Sequence, residues 1–269
     1  MPFRLWCKKA CPELTKLFIS LAVHILKQGP VPQHIAFILD GNRRFARLHN
    51  MTTKEGHRLG LQNIEDITTF CSDLEIKNVS AYVFSTTNFK HSKEDANAIM
   101  DILMQRLLQI DQWDLVSTGK CRIRYIGRLE VLSQSMRDAI EYAENMTRNN
   151  TGITLNVYCR YSSTDEMTRA VCLQAEEGED FRVSKQTMED CLMVPGPDLD
   201  ILVRTSGKTR FSNFMLWQLS KMAYIQFVEV DWPGFSFTHL FAILLSWQLS
   251  AKKIKNKKQV CFSEVCATF

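Results

Sequence analysis

Residues 34–44, HIAFILDGNRR, form an apolar run that stops at an acid, followed by a Gly-Asn turn and two arginines. A strand handing over to a helix there sets one hard oxygen ligand, free backbone N–H groups and two fixed positive charges side by side. Such a corner suits a magnesium-bound diphosphate. Residues 200–212, DILVRTSGKTRFS, repeat the theme with Arg204, Arg210 and Ser212 behind a second apolar run. Two anion-binding clusters in one small domain point to chemistry joining two diphosphate-bearing substrates. Residues 84–89 (FSTTNF) and 217–233 belong to the same reading.

Outward from that corner, short β-rich runs alternate with amphipathic stretches. The strand candidates are 34–39, 79–84, 122–126, 153–159, 200–203 and 224–230. Helical patterns lie at 54–74, 93–116, 131–148 and 162–176, with a last helix over 238–250. This alternation predicts an α/β fold, a largely parallel six-stranded sheet flanked by helices. Ligands in open parallel sheets sit beyond the carboxyl ends of the strands, so Asp40, Ser85 and Arg204 should share one rim.

The chain divides into an N-terminal amphipathic helix (1–28), one catalytic domain (29–250) and a Lys-rich tail (251–269). Residues 17–26 are apolar but too few to span a bilayer. At helical spacing Leu14, Leu17, Phe18, Leu21, Ile25 and Leu26 make an apolar face, as in a docked or membrane-surface helix.

Composition narrows the functional classes. A formal net charge of +4 over 269 residues fits an anionic substrate or an acidic membrane surface and is too weak to argue for nucleic acid. The nine cysteines form no CxxC pair and read as reduced, mostly buried thiols. Neither GxxxxGK[ST] nor a strand-linked GxGxxG is present, so nucleotide phosphate cradles are not supported.

Singly, each motif has a plain explanation. Asp-Gly-Asn and Thr-Ser-Gly are common turns, and His57 is by default a satisfied histidine. Arg43 and Arg44 would sit unfavourably at a helix N-terminus, a penalty that a multiply charged anion removes.

Together, HIAFILDGNRRFA, EGH at 55–57, YVFSTTNFKHS, DILVRTSGKTRFSNFMLWQ and FVEVDWP closely resemble the cis-prenyltransferases, the undecaprenyl and dehydrodolichyl diphosphate synthases. The resemblance covers about residues 29–249 and is nearest to the eukaryotic catalytic subunits. It implies a parallel sheet enclosing a hydrophobic product tunnel. The implied reaction is repeated cis addition of isopentenyl diphosphate to farnesyl diphosphate, giving polyprenyl diphosphate for dolichol and glycosylation.

By the same resemblance, Asp40 holds Mg2+ on the primer diphosphate, and Gly41, Asn42, Arg43, Arg44 and His57 surround its oxygens. Phe45 walls the primer. Ser85 and Asn88 stand near the condensing carbons, with Asn88 at the position associated with proton removal. Arg204, Arg210 and Ser212 bind isopentenyl diphosphate, where arginine's fork suits phosphate.

The departures are Thr87 for Glu, His91 and Thr53 for Arg, and Lys208 for Glu. They raise an alternative, a weakly active or inactive paralogue acting as a binding subunit. An Arg-x-Gly tail is missing after Ser250, which implies a Nogo-B-receptor-like subunit that supplies it. The implied location is peripheral, on the cytosolic face of the endoplasmic reticulum membrane.

Overall fold

A computed structural model of the chain describes residues 12–85, 93–175, 184–194 and 196–266; side chains at 12–13, 84–98 and 252–266 are left out of the description. Six strands form one sheet: β1 (His34–Ile38), β2 (Asn78–Ser85), β3 (Cys121–Ile126), β4 (Ile153–Tyr161), β5 (Ile201–Arg204) and β6 (Tyr224–Phe227). Their order is β3-β4-β2-β1-β5-β6, and every pairing is parallel. The helices are α1 (Pro12–Leu26), α2 (Asn42–Leu48), α3 (Thr53–Asp73), α4 (Lys93–Leu107), α5 (Asp114–Ser117), α6 (Gln134–Thr147), α7 (Ser163–Ala175), α8 (Lys185–Asp190), α9 (Leu216–Leu219) and α10 (Phe237–Cys266).

β1 and β5 are buried along their whole length, as unbroken apolar runs should be when helices cover both faces of a parallel sheet. From β1 the chain adds β2 alongside, sets β3 at the edge, fills the gap between them with β4, then returns to the other side of β1 with β5. The change of direction falls at β1, where the ends of adjacent strands part and leave a crevice. β1 and β5 run in register, with Ile38 opposite Arg204, so Asp40 and Arg204 emerge at the same edge.

Local chemistry explains the element ends. Thr52 and Glu55 form a reciprocal capping box that starts α3, and the Ser133 hydroxyl accepts the Met136 N–H, which starts α6 three residues later than the pattern implies. The pattern over 93–116 breaks at Leu107. Buried Ile110 and Trp113 fold into a 3-10 turn there, so core packing outweighs helical period. The expected strand 224–230 stops at Phe227, because the Val228 and Val230 carbonyls instead accept Gly207 N–H and Ser206 N–H, each at 2.9 Å. The last helix continues past Ser250 to Cys266.

α1 is helical, and of the expected apolar face only Leu26 is buried. It packs on the core through Ala22 and Leu26, with Ile19 and Val23 partly buried; Leu14, Leu17, Phe18, Leu21 and Ile25 face outward. Among the described residues no helix is long and apolar enough to cross a membrane. Cys71, Cys121 and Cys159 are buried free thiols, and burial pushes the latter two up to about 12. A groove of about 600 Å³ opens between α1, α3 and the start of α10, with Glu65 and Arg106 paired beside it. An enclosed tunnel is not shown among the described residues.

Candidate active site

The site begins at Asp40, the second residue after β1. Its backbone is tied by Thr205: Asp40 N–H donates to Thr205 Oγ1 at 3.0 Å, and Thr205 Oγ1 donates to the Asp40 carbonyl at 2.7 Å. Trp232 N–H donates to the same carbonyl at 2.9 Å. The Asp40 carboxylate therefore stands on a fixed backbone at the junction of three segments. Its Oδ2 accepts from Arg204 Nη2 at 2.8 Å, with Lys208 Nζ at 3.8 Å.

That contact fuses the two anion clusters of the sequence into one. Arg204 is only 2 % exposed, and its other arm donates to Ser212 Oγ at 2.7 Å and to the Arg210 carbonyl. A buried guanidinium needs such partners on several sides, since an uncompensated charge there is strongly destabilising. Arg204 Nε is buried with no hydrogen-bond partner in the structure. Arg210 reaches solvent.

Ser212, Asn213 and Met215 all hold left-handed backbone, unusual for residues other than glycine. Cross-links fix that loop. Tyr82 Oη donates to the Ser212 carbonyl at 3.3 Å, Ser163 N–H to the Asn213 carbonyl at 2.8 Å, and Leu216 N–H to Ser163 Oγ at 2.8 Å.

On the other side, Gly41 takes φ 104° and precedes α2. Asn42 Nδ2 donates back to the Leu39 carbonyl at 3.1 Å, leaving Asn42 Oδ1 buried and unsatisfied. α3 crosses close beneath: a Cβ on Gly56 would stand 2.6 Å from the Asn42 carbonyl, and one on Gly60 would stand 2.1 Å from Asn42 Oδ1. Those two glycines let the Glu55-Gly56-His57 turn approach the corner. His57 Nε2 is buried there, Arg43 is exposed, and Phe45 is buried and stacked on His49 at 4.0 Å.

Arg44 has a partner that sequence reasoning missed. Its Nε donates to Asp231 Oδ1 at 2.9 Å and Oδ2 at 3.1 Å, and Nη2 lies 2.7 Å from Oδ1. The pair holds the guanidinium firmly protonated, the Asp231 hydrogen bond being the main cause. The available signal was an acid inside an apolar run immediately before Trp-Pro. Thr205 was also missed, because a threonine in a turn carries no local mark of the strand it will tie.

The structure thus brings together Asp40, Gly41, Asn42, Arg44, Arg204, Arg210 and Ser212. Ser85 ends β2 beside β1, and its side chain is not described. Asn88, Thr87 and His91 lie outside the described residues.

The arrangement can hold two anions side by side, one against Gly41–Arg44 and one against the Arg204 loop. A magnesium ion usually takes one or two carboxylates and completes its shell with substrate phosphates and water. Asp40 fits that requirement: among the described residues no donor occupies its Oδ1, and no group of three His, Cys, Asp or Glu forms a cage elsewhere.

Comparison with known proteins bears on this geometry. Residues 38–255 match the family described as putative undecaprenyl diphosphate synthase. A dehydrodolichyl diphosphate synthase complex subunit of Schizosaccharomyces pombe is 38% identical over 86% of this chain and 90% of its own. The corresponding human complex subunit is 34% identical over 96% and 79%. Among solved structures, lavandulyl diphosphate synthase from Lavandula x intermedia, in complex with dimethylallyl diphosphate, superposes with a TM-score of 0.75. It is 28% identical and covers 81% of this chain and 95% of its own. A probable undecaprenyl diphosphate synthase from Campylobacter jejuni gives 0.68 at 26% identity, with the same coverage.

Proposed function

The chain belongs to the undecaprenyl diphosphate synthase family of prenyltransferases, and from that premise we propose that it is the catalytic subunit of a dehydrodolichyl diphosphate synthase. It is a cis-prenyltransferase making long-chain polyprenyl diphosphate. The proposed substrates are farnesyl diphosphate as primer and isopentenyl diphosphate as extender, with the product serving dolichol synthesis and glycosylation. The observation that carries this reading is the Asp40–Arg204 contact at 2.8 Å, which joins a primer-side carboxylate to an extender-side cation. The alternative of an inactive paralogue is not favoured, since the relatives are named as synthases and transferases.

In each cycle the allylic carbon–oxygen bond breaks and diphosphate leaves. The extender's double bond forms the new carbon–carbon bond, and one proton is lost. Arg43 and Arg44, with the Gly41 and Asn42 backbone, bind the departing charge where it develops. Arg204, Arg210 and Ser212 hold the extender, and the buried position of Arg204 fixes it relative to Asp40. Asp40 would hold magnesium, which when bound neutralises leaving-group charge. Asn88 is the candidate near the proton that is lost, although an amide is a weak base and diphosphate oxygen is the better acceptor.

Two further proposals concern assembly and place. The names of the fungal and human relatives describe complex subunits, which supports a heteromer with a Nogo-B-receptor-like partner that contributes an Arg-x-Gly to the extender site. The outward apolar face of α1 supports peripheral attachment to the cytosolic side of the endoplasmic reticulum membrane.

The test is incorporation of labelled isopentenyl diphosphate into polyprenyl product with farnesyl diphosphate and magnesium, with and without the partner. Asp40→Ala should lower turnover by roughly two or more orders of magnitude with circular dichroism unchanged. Asp40→Ala activity within a few-fold of wild type would refute the site.

A further inference from the structure

We propose that Asp231 is a positioning residue for the primer diphosphate, aiming the Arg44 guanidinium at it; this rests on the reading that Arg44 binds that diphosphate. Arginine is a rigid planar fork, so a carboxylate gripping one edge dictates where the other edge points. Asp231 grips the Nε–Nη2 edge, and Nη2 also reaches the Glu229 carbonyl at 3.4 Å. Among the described residues no acceptor takes Nη1, so that donor is left for an incoming anion. The side chain as a whole is 41 % exposed, open enough to be reached.

Asp231 itself is held on a rigid platform. Trp232 N–H donates to the Asp40 carbonyl at 2.9 Å, and Trp232 Nε1 donates to the Gly60 carbonyl at 2.7 Å. Gly234 N–H and Phe235 N–H close onto the Asp231 carbonyl at 2.8 and 3.1 Å. The Trp232 ring is buried in a three-ring cluster with Phe37 and Phe235. The carboxylate also presses on the corner: Asp231 Oδ1 lies 2.1 Å from where a Cβ on Gly41 would be.

The guanidinium held by Asp231 is therefore fixed relative to Gly41 and Asp40. A bare acid at that corner would repel a diphosphate. Paired with Arg44, its charge is offset and it serves as a bracket, much as a carboxylate orients a metal-bound histidine.

The test separates aiming from mere charge by a double-mutant cycle. Farnesyl diphosphate with magnesium, and isopentenyl diphosphate separately, are titrated calorimetrically into the full chain, with its partner if activity requires one. The variants are Asp231→Asn, Asp231→Ala, Arg44→Ala and the double alanine variant. Asp231→Asn, which keeps the shape, should weaken farnesyl diphosphate about tenfold and leave isopentenyl diphosphate within about twofold, the latter also reporting an intact fold.

With Arg44 already alanine, Asp231→Ala should no longer weaken primer binding, and should leave it unchanged or tighten it by removing an acid that has lost its partner. Unchanged or tighter primer binding in Asp231→Asn would overturn the proposal, as would an equal loss from Asp231→Ala in both backgrounds. Unchanged primer binding in Arg44→Ala would instead refute the assignment of the primer site itself.

Discussion

At Gly41 the site depends on the absence of a side chain. Its φ of 104° lies in the region favouring glycine, and the space above its Cα holds the Asp231 carboxylate. Gly41→Ala should cost at least about 1–3 kcal/mol from backbone strain, before any displacement of Asp231. We expect a lower melting temperature together with lost farnesyl diphosphate binding. A Gly41→Ala protein as stable and as tight-binding as wild type would show that the corner relaxes freely. That Asp40 and Arg204 reach one edge was legible in the sequence because they end or follow apolar runs, where a parallel sheet delivers its ligands. Asp231 and Thr205 were not, because Thr205 meets Asp40 only once β5 pairs with β1, and Asp231 meets Arg44 only when the segment after β6 returns to that edge. No local spacing encodes that return.

Among the elements, strand positions were readable to within a few residues, since buried parallel strands appear as short apolar runs bounded by polar turns. The break after Leu107 was hidden, because residues 110–116 keep apolar spacing while packing as a 3-10 turn and a short helix. α1 shows a different limit. Its sequence is apolar on more than one side, so periodicity could not decide which side would pack. Ala22 and Leu26 go inward, and Leu17, at 65 % exposed, and Phe18 point out. If that outward stripe meets lipid, Leu17→Glu with Phe18→Glu should abolish sedimentation with anionic vesicles. Turnover of farnesyl and isopentenyl diphosphates in detergent should stay near wild type. Vesicle binding that survives the double change would place membrane contact elsewhere.

For the molecule as a whole, the parallel α/β class followed from alternating elements, but strand order did not, because pairings such as Ile35 with Ile201 join distant segments. Global stability has a titrating component at the opposite end of β1. His34 is buried, with Nδ1 3.2 Å from the Pro197 carbonyl and Nε2 2.8 Å from Ser80 Oγ. A carbonyl only accepts, so Nδ1 carries the proton and the Ser80 hydroxyl donates to Nε2. Burial lowers this histidine from 6.5 to about 4. Between those values the unfolded chain binds a proton that the folded one refuses, so stability is full above about pH 6.5 and falls as pH drops toward 4. From pH 7 to 5 the loss from this group is about 2 kcal/mol, measurable by urea unfolding. His34→Gln should flatten that slope, and an unchanged slope would remove His34 as its source. The Asp40–Arg204 contact spans 164 positions. During synthesis, β1 must therefore wait with one edge bare until β5 leaves the ribosome. A strand as apolar as residues 35–38 in that condition is a natural client for a holding chaperone. The catalytic corner comes into being only after β5 and the segment through Trp232 have emerged, so a nascent chain released before that carries no partial enzyme, only an adhesive sheet.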